Sequence, residues 1–412
     1  MSCVDHISGA FVFDVQQGCF VQQDFYIKDG LFCDIHDVEG ETNTIDCSGR
    51  WIIPGLVNVH EHQTYKRLYG PLFGKGGSFE GASEAALTLR AVRSSIYALR
   101  CGVTTICEVG APGEVSFAMR EGVEKGLIPG PRMKICGWAI SITGGHGFEL
   151  CEEVDSTEEM RKAVRVLLKK NVDSIKLLSS HEPVFLKEEE PVVAEMSEEM
   201  VRAAVEEAHK LQKKVHIHAM GHVQLTRSIN AGVDVIHHGA FLDTELAKTM
   251  NEKNITLVPT LSSYRLTAHE RFSRGEKWSN AHRVLWPAFD EMFEAALQEH
   301  VNLAVGTDSL GDYVDELEMM NRRGLSKEDC LRAATIGGAK ALGMEDEIGS
   351  INIGKCADYL VLKENPLDDL QNIRHIECVI KDGKRYDPDY LHFQNMNPNS
   401  FIESFDAGEE MM

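Results

Sequence analysis

His60 and His62 alternate in the stretch VNVHEH, so on an extended strand both imidazoles point to one side. His216 and His218 do the same in KVHIHA, and His237 is followed directly by His238 in GVDVIHH. Asp308 follows an apolar run in VNLAVGTD, and Lys176 lies inside another, VDSIKLL. Imidazole nitrogens and a carboxylate are the usual donors to zinc and similar divalent ions. Alternation does not choose between His216 and His218, which share a face. His237 and His238 lie on opposite faces, so at most one of them enters the same cavity. Each residue also has a plainer role, such as a hydrogen-bonded core histidine or, for Asp308 in GTDS, a helix N-cap. All of those plain roles would have to hold at once.

Two divalent ions need more negative charge than one aspartate supplies, which gives Lys176 its interest. A charged lysine is rarely buried unless paired. Burial disfavours the ammonium and lowers the pKa. A neutral amine can add carbon dioxide and become a carbamate, an anion with two oxygens able to bridge two cations. The alternatives are a lysine that snorkels out of the strand end or one that forms a Schiff base with substrate.

The elements that would position these residues are legible as alternation. Short apolar segments recur at WIIPGLVNV (51–59), GVTTICEV (102–109), MKICGWAI (133–140), VDSIKLL (172–178), KVHIHA (214–219), GVDVIHH (232–238), ITLVPTL (255–261) and VNLAVGT (301–307). Helical patterns lie between them. In STEEMRKAVRVLLKKN, Ser156 and Glu159 form a capping-box signature; SKEDCLRAATIGGAKALG reads as one helix with Ser326 as N-cap. Strands alternating with helices in this number predict a (β/α)8 TIM barrel over 55–345. An open doubly wound sheet is the other α/β solution, but no Gly-rich phosphate turn follows the first strand. The polar residues named above fall at strand carboxyl ends, which in a barrel converge on one face. The chain ends differ: hairpin texture around Asp29-Gly30 returns in GSINIGKCADYLVL and IECVIKDGKRY. This predicts a small β-sandwich domain from residues 1–54 and 346–386 together, with 387–412 as a tail.

The 412 residues allow one domain of about 250 residues and a smaller one. A formal net charge of −22 argues against nucleic acid or an anionic membrane surface as partner. The 11 cysteines are scattered with no Cys-x-x-Cys pair, which argues against a zinc ribbon or disulfide framework and for a reducing compartment. The first residues carry Asp5 and no long apolar run, unlike a signal peptide, and no stretch of about 18 apolar residues occurs. The expectation is a cytoplasmic protein with no membrane partner.

Taken in order, WIIPGLVNVHEH, GVTTICEVG, GPRMKICGWAISITGGHG, AGVDVIHHGAFLD, LAVGTDS and LRAATIGGAKALGMEDEIGSINIGKCADYLVLKENPLDDL resemble the amidohydrolase superfamily of metal-dependent hydrolases, over about residues 45 to 386. Within it the chain looks most like the prolidase and imidazolonepropionase-like group. The resemblance implies a binuclear centre, commonly zinc. His60, His62 and Asp308 match the ligands of the more buried ion, His218 and His238 those of the more exposed one, and Lys176 the carbamylated lysine bridging both. It thus favours His218 over His216 and His238 over His237. It implies a metal-bridging hydroxide as nucleophile, with Asp308 accepting its proton and passing it to the leaving amine. His146, in TGGHG, matches a residue that assists substrate or oxyanion binding; an incidental histidine in a glycine turn is its plainer reading.

The implied activity is cleavage of an amide or peptide C–N bond in a small molecule, with an N-acyl amino acid or dipeptide as first expectation. A cyclic amide or imidazolone is second, and a deaminase third, since deaminases of this superfamily usually lack the bridging lysine. A catalytically inactive scaffold of the same fold is the rival from another class. Three departures fall on active-site loops: Met220 stands where prolidase-like members commonly have histidine or tyrosine at the substrate-carboxylate position, Leu178 to His181 replace small residues, and the turn after GTDS is short. Substrate-binding candidates are therefore His146, Met220, Tyr264 with Arg265, and Arg67 with Lys66 and Lys75 in the Gly-rich loop 65–83, read as a lid or as a plain surface loop. The tail is expected either to meet a partner subunit of a homo-oligomer or to be partly disordered.

Overall fold

This computed structural model describes residues 4–37, 42–64, 82–181, 192–265, 277–308 and 311–388. Parallel strands β1 (Leu56–Glu61), β2 (Val103–Glu108) and β3 (Arg132–Ile135) form one sheet. In a second, β4 (Ser174–Leu178), β5 (Lys214–Ala219), β6 (Val235–His238) and β7 (Thr256–Val258) pair in sequence order. The two sheets are joined on both sides. The Asp173 amide donates to the Ile135 carbonyl at 2.8 Å. Leu257 N donates to Asn302 O at 2.9 Å and Val59 N to Val305 O at 2.8 Å, so residues 302–305 run between β7 and β1. The result is a TIM-barrel-like fold with an additional β-sheet region.

Amphipathic helices cover the ring, and the sequence caps several of them as expected. They include α1 (Glu84–Arg100), α2 (Val115–Glu124), α3 (Thr157–Lys169), α4 (Glu198–His209), α5 (His222–Ala231) and α6 (Thr244–Glu252). Beyond β7 come α7 (Lys277–Gln298) and α8 (Tyr313–Arg322). Side chains of Ser83, Ser156, Ser197 and Asp243 each accept an amide of the following first turn, satisfying a group the helix leaves unpaired. The box at Ser156 is half as expected: Ser156 accepts from Glu159 N at 3.3 Å, but the Glu159 carboxylate takes the Asp155 amide at 2.8 Å instead of that of Ser156.

Three further expectations are corrected. MKICGWAI is two pieces, β3 and the short strand Ala139–Ser141, because Gly137 between them takes a left-handed φ of 74°. The stretch 301–307 bridges its neighbours without forming a regular strand beyond a single bridge at Leu303. The helix from Ser326 is regular only over Lys327–Arg332, then opens into a π-helical turn over Ala333–Gly337 before Gly338–Leu342. There a Cβ on Gly337 would lie 2.4 Å from the Leu303 carbonyl oxygen and one on Gly338 2.7 Å from Val57 Cβ. These two glycines let the closing helix touch β1 and the 301–307 segment directly.

Both chain ends build the remaining sheets. One contains Val4–Ser8, Phe25–Lys28, Leu31–Cys33 and Thr42–Asp46; the other joins Phe11–Asp14, Cys19–Gln22 and Trp51–Pro54 to Tyr359–Leu362, Ile376–Lys381 and Lys384–Tyr386. Ile7, Val12, Ile27, Phe32, Ile52, Tyr359 and Ile380 share one buried apolar cluster between them. The hairpin signal at Asp29-Gly30 is seen as such, with φ of 53° and 81° at the turn. No helix among the described residues is long and apolar enough to cross a membrane.

Candidate metal centre

His60 and His62 close β1 and Lys176 lies in β4, while His218 is in β5 and His238 ends β6. Asp308 follows the 302–305 segment, and its amide donates to the His60 carbonyl at 2.8 Å. The histidines and Asp308 lie toward the carboxyl ends of the parallel strands, and Lys176 at the middle of its own. Two of these positions hold the backbone in an unusual state: φ is 70° at His238 and 53° at Asp308. Left-handed φ at a non-glycine residue is uncommon and is retained where the surroundings over-determine it.

The side chains meet. His60 Nε2 is 3.3 Å from His62 Nε2 and 3.8 Å from Asp308 Oδ1, and His62 Nε2 is 4.0 Å from the same oxygen. Donor atoms of His60, His238 and Asp308 lie within 4.8 Å of one another. The His218 and His238 rings are 4.5 Å apart, and His146 stacks on His218 at 4.3 Å. Tyr264 meets His238 edge to face at 5.5 Å.

Hydrogen bonds outside the cluster set the tautomers. His62 Nδ1 is 2.9 Å from the Gly110 carbonyl, which can only accept, so Nδ1 carries the proton and Nε2 keeps its lone pair. His238 Nδ1 is 2.6 Å from Thr260 Oγ1, whose own hydrogen goes to the Pro259 carbonyl at 2.7 Å. His238 therefore donates from Nδ1 and its Nε2 is left as a lone pair. His218 bonds the Ser180 backbone, and its Nε2 is buried without a hydrogen-bond partner. Burial pushes the pKa of His60, His62, His218 and His238 down, so the rings are neutral and able to donate to a cation.

Lys176 is fully buried, at 0% exposure, and its Nζ has no hydrogen-bond partner. Burial lowers its pKa to about 8. An amine of this kind, amid neutral imidazole lone pairs and one carboxylate, fits a divalent-cation site; so do the inward lone pairs of His62 and His238 and the unpartnered His218 Nε2.

Other residues lock this cluster in place. Glu61 accepts from Thr307 Oγ1 at 2.8 Å and from Asn58 Nδ2 at 3.2 Å, which ties β1 to the residue preceding Asp308. Glu108 accepts the Gln63 amide at 2.7 Å and lies 4.0 Å from His62 Nδ1, and burial raises its pKa well above the usual carboxylate range. Sequence reasoning missed these; the one available signal was that each is an acidic residue at the carboxyl end of an apolar strand. It also left His216 and His237 aside, although both are fully buried against the cluster. Of the substrate-binding candidates, His146 and Tyr264 lie beside the histidines. Met220 is fully buried in the main apolar core, with its amide bonded to Ser180 Oγ at 3.0 Å. Arg67, Lys66 and Lys75 lie outside the described residues, as does the tail beyond residue 388.

A TIM-barrel-like fold carrying neutral histidines and a carboxylate at the strand carboxyl ends is the architecture of a metal-assisted hydrolase. The Amidohydrolase family profile matches residues 51–386, and the chain belongs to the amidohydrolase family. It is a hydrolase acting on C–N bonds. It is similar to ochratoxinase of Aspergillus niger, 28% identical over 370 residues, covering 81% of this chain and 75% of that one. A Xaa-Pro dipeptidase with methionine bound in its active site superposes with a TM-score of 0.83 at 26% identity, over 93% of this chain and 100% of that one. A 5-methylthioadenosine/S-adenosylhomocysteine deaminase of Bacillus cereus is 23% identical over 372 residues, 84% of this chain and 80% of that one.

Proposed function

We propose that this chain hydrolyses an amide or peptide C–N bond of a small molecule, an N-acyl amino acid or dipeptide, at a two-cation centre. His60, His62, Lys176, His218, His238 and Asp308 would hold the cations, zinc being the ion this donor set suits best. The observation that carries the reading is the wholly buried, unpartnered Nζ of Lys176. Burial disfavours an ammonium there relative to water, so the neutral amine is within reach near neutral pH. As a neutral amine, Lys176 can attack carbon dioxide: its lone pair forms the N–C bond, one C=O π pair moves onto oxygen, the nitrogen releases a proton to solvent, and the carbamate would supply a second anion beside Asp308.

When bound, the cations supply Lewis acidity toward the scissile carbonyl and render water acidic enough to attack at neutral pH. Asp308 is the proton carrier. Its carboxylate lies beside His60 and His62 on the cavity side, placed to take the proton of the attacking water and give it to the leaving amine. His146, held neutral by burial that lowers its pKa to about 4, donates to the substrate's oxygen. Its amide bonds the Glu195 carboxylate at 3.1 Å. Tyr264 flanks the substrate beside His238, and Met220 and Arg67 stay as further candidates for its recognition. We take 1–54 with 346–386 as a β-sandwich domain, 55–345 as the barrel and 387–412 as a tail. No disulfide joins cysteines among the described residues, in keeping with the reducing, cytoplasmic setting we propose.

A second reading is a deaminase. It is favoured by the compact triad His60, His238 and Asp308, enough for one ion, and by the similarity to the Bacillus cereus enzyme. Zinc-loaded protein screened by mass spectrometry against N-acyl amino acids, dipeptides, cyclic amides and adenosine analogues separates these readings. We expect amine release from the first two classes, abolished by chelation and restored by zinc. Turnover of cyclic amides alone, or ammonia from the adenosine analogues alone, would overturn the first reading.

A further inference from the structure

Behind His60 stand two histidines that the candidate ligand set does not use. His60 Nδ1 lies 2.9 Å from His237 Nδ1, and His237 Nε2 lies 3.1 Å from His216 Nδ1. The rings of His60 and His237 meet edge to face at 4.4 Å, and those of His216 and His237 stack at 5.3 Å. Exposure is 1% for His60 and 0% for the other two. Each is a neutral ring, with one nitrogen donating and the other accepting. Three such rings in a row have only two consistent arrangements: every proton points toward the cation side of His60, or every proton points away from it.

We propose that His237 and His216 are positioning residues that hold His60 as its Nδ1–H tautomer, with the Nε2 lone pair facing His62 and Asp308. The proposal rests on the reading of His60 as a cation ligand. In this arrangement His60 Nδ1–H donates to His237 Nδ1, and His237 Nε2–H donates to His216 Nδ1. The last proton sits on His216 Nε2, a buried nitrogen without another hydrogen-bond partner. The reversed row would place a proton on His60 Nε2, 3.3 Å from the lone pair of His62 Nε2. Those two rings would then bond one another, and both would be closed to a cation. The direction of the row therefore decides whether β1 presents two donors or none. The number of protons on the three rings is the same either way.

The test uses the full chain with zinc alone. Long-range nitrogen–proton NMR of the imidazoles in the zinc-loaded protein should show His60 as Nδ1–H and His237 and His216 as Nε2–H. Competition with a chromophoric chelator should show zinc affinity falling about tenfold to a hundredfold in His237→Phe. His237→Gln should recover most of that loss, because its amide can accept from His60 and donate toward His216; a purely space-filling role would not be rescued this way. His60 found as Nε2–H with zinc bound would overturn the proposal, whether or not the Phe variant folds. Zinc affinity lost in His60→Ala but unchanged in a folded His237→Phe would overturn the relay alone. Affinity unchanged in His60→Ala would overturn both the relay and the reading of His60 as a ligand.

Discussion

On the proposed reading, Lys176 as a carbamate and Asp308 would contribute charge where the other candidate ligands contribute only lone pairs, so they are the residues whose removal is most informative. Lys176→Ala should lower the zinc content of purified protein from about two per chain to one or fewer and abolish hydrolysis. Acetate or propionate should restore part of the activity by placing a carboxylate where the carbamate stood. Unchanged turnover in this variant would refute the bridging role. Asp308→Asn keeps the shape of the side chain and removes its proton affinity. It should lower kcat by about a hundredfold to ten-thousandfold with a smaller effect on KM, measured on any substrate found in the screen. As candidates Lys176 and Asp308 stood out because a lysine inside one apolar run and an aspartate closing another can be read locally. The partners of His237 did not, because a bond to a residue at position 60 depends on register between strands far apart in sequence. His216 and His218 differ in role only through what each ring meets across the barrel, and spacing carries no information about that.

The strand ends are held by neighbouring elements, and α8 shows how. Glu316 in α8 is fully buried and accepts the amides of Leu261 and Ser262 at 2.8 and 2.6 Å. It thereby fixes the turn after β7 that carries Thr260, the hydrogen-bond partner of His238, and Tyr264. Burial raises its pKa from 4.5 to about 7. In the window from about pH 4.5 to 7 the folded state binds a proton that the unfolded chain has lost. The stability associated with the raised pKa is present below that window and is lost as pH rises through it. Glu316→Gln lacks this dependence and also loses one acceptor facing two amides, at a cost of roughly 1–3 kcal/mol. Urea denaturation should therefore show the variant less stable than the parent at pH 5, with the gap narrowing by up to about 3 kcal/mol at pH 8. A gap that widens with pH would contradict a raised Glu316 pKa. Neither the helix nor the role of Glu316 was read from the sequence, where LGDYVDEL stands as the short turn after GTDS and an acidic residue reads equally well as surface charge. The broken helix after Ser326 was hidden for the opposite reason: its glycines answer to Leu303 and Val57, which lie far away along the chain.

The union of the chain ends was legible from repeated hairpin texture, because each hairpin leaves an apolar face that only another sheet can cover. The joint between these sheets and the barrel was not. It centres on Arg132, at the amino end of β3, whose guanidinium bonds Asp358 at 2.5 Å, Thr105 Oγ1 at 3.1 Å and also Asp382. The Asp358 side chain is only 3% exposed and takes the Asp382 amide at 2.8 Å. Asp382 begins the turn Asp382-Gly383, with φ of 50° and 71°, which packs on the turn at Gly30: a Cβ on Gly30 would lie 2.8 Å from the Asp382 carbonyl oxygen. One cation from the barrel thus anchors two carboxylates of the C-terminal segment, and the turn at Asp382 packs on the N-terminal turn at Gly30. Arg132→Met leaves Asp358 buried without its counter-charge and should destabilise the protein by about 3 kcal/mol. Asp358→Asn in the same chain removes that charge while keeping an acceptor for the Asp382 amide. The double variant should then be more stable than Arg132→Met alone, and with Asp358→Asn also measured singly, urea denaturation should give a coupling energy of about 1–2 kcal/mol. Zinc content should stay at the parent value in both variants, because Arg132 lies at the amino end of its strand and the candidate ligands lie at the carboxyl ends. Simple additivity would show that the charge on Asp358 is not what Arg132 offsets, and lost zinc would show that the sheets at the chain ends hold the metal centre's geometry as well as the fold.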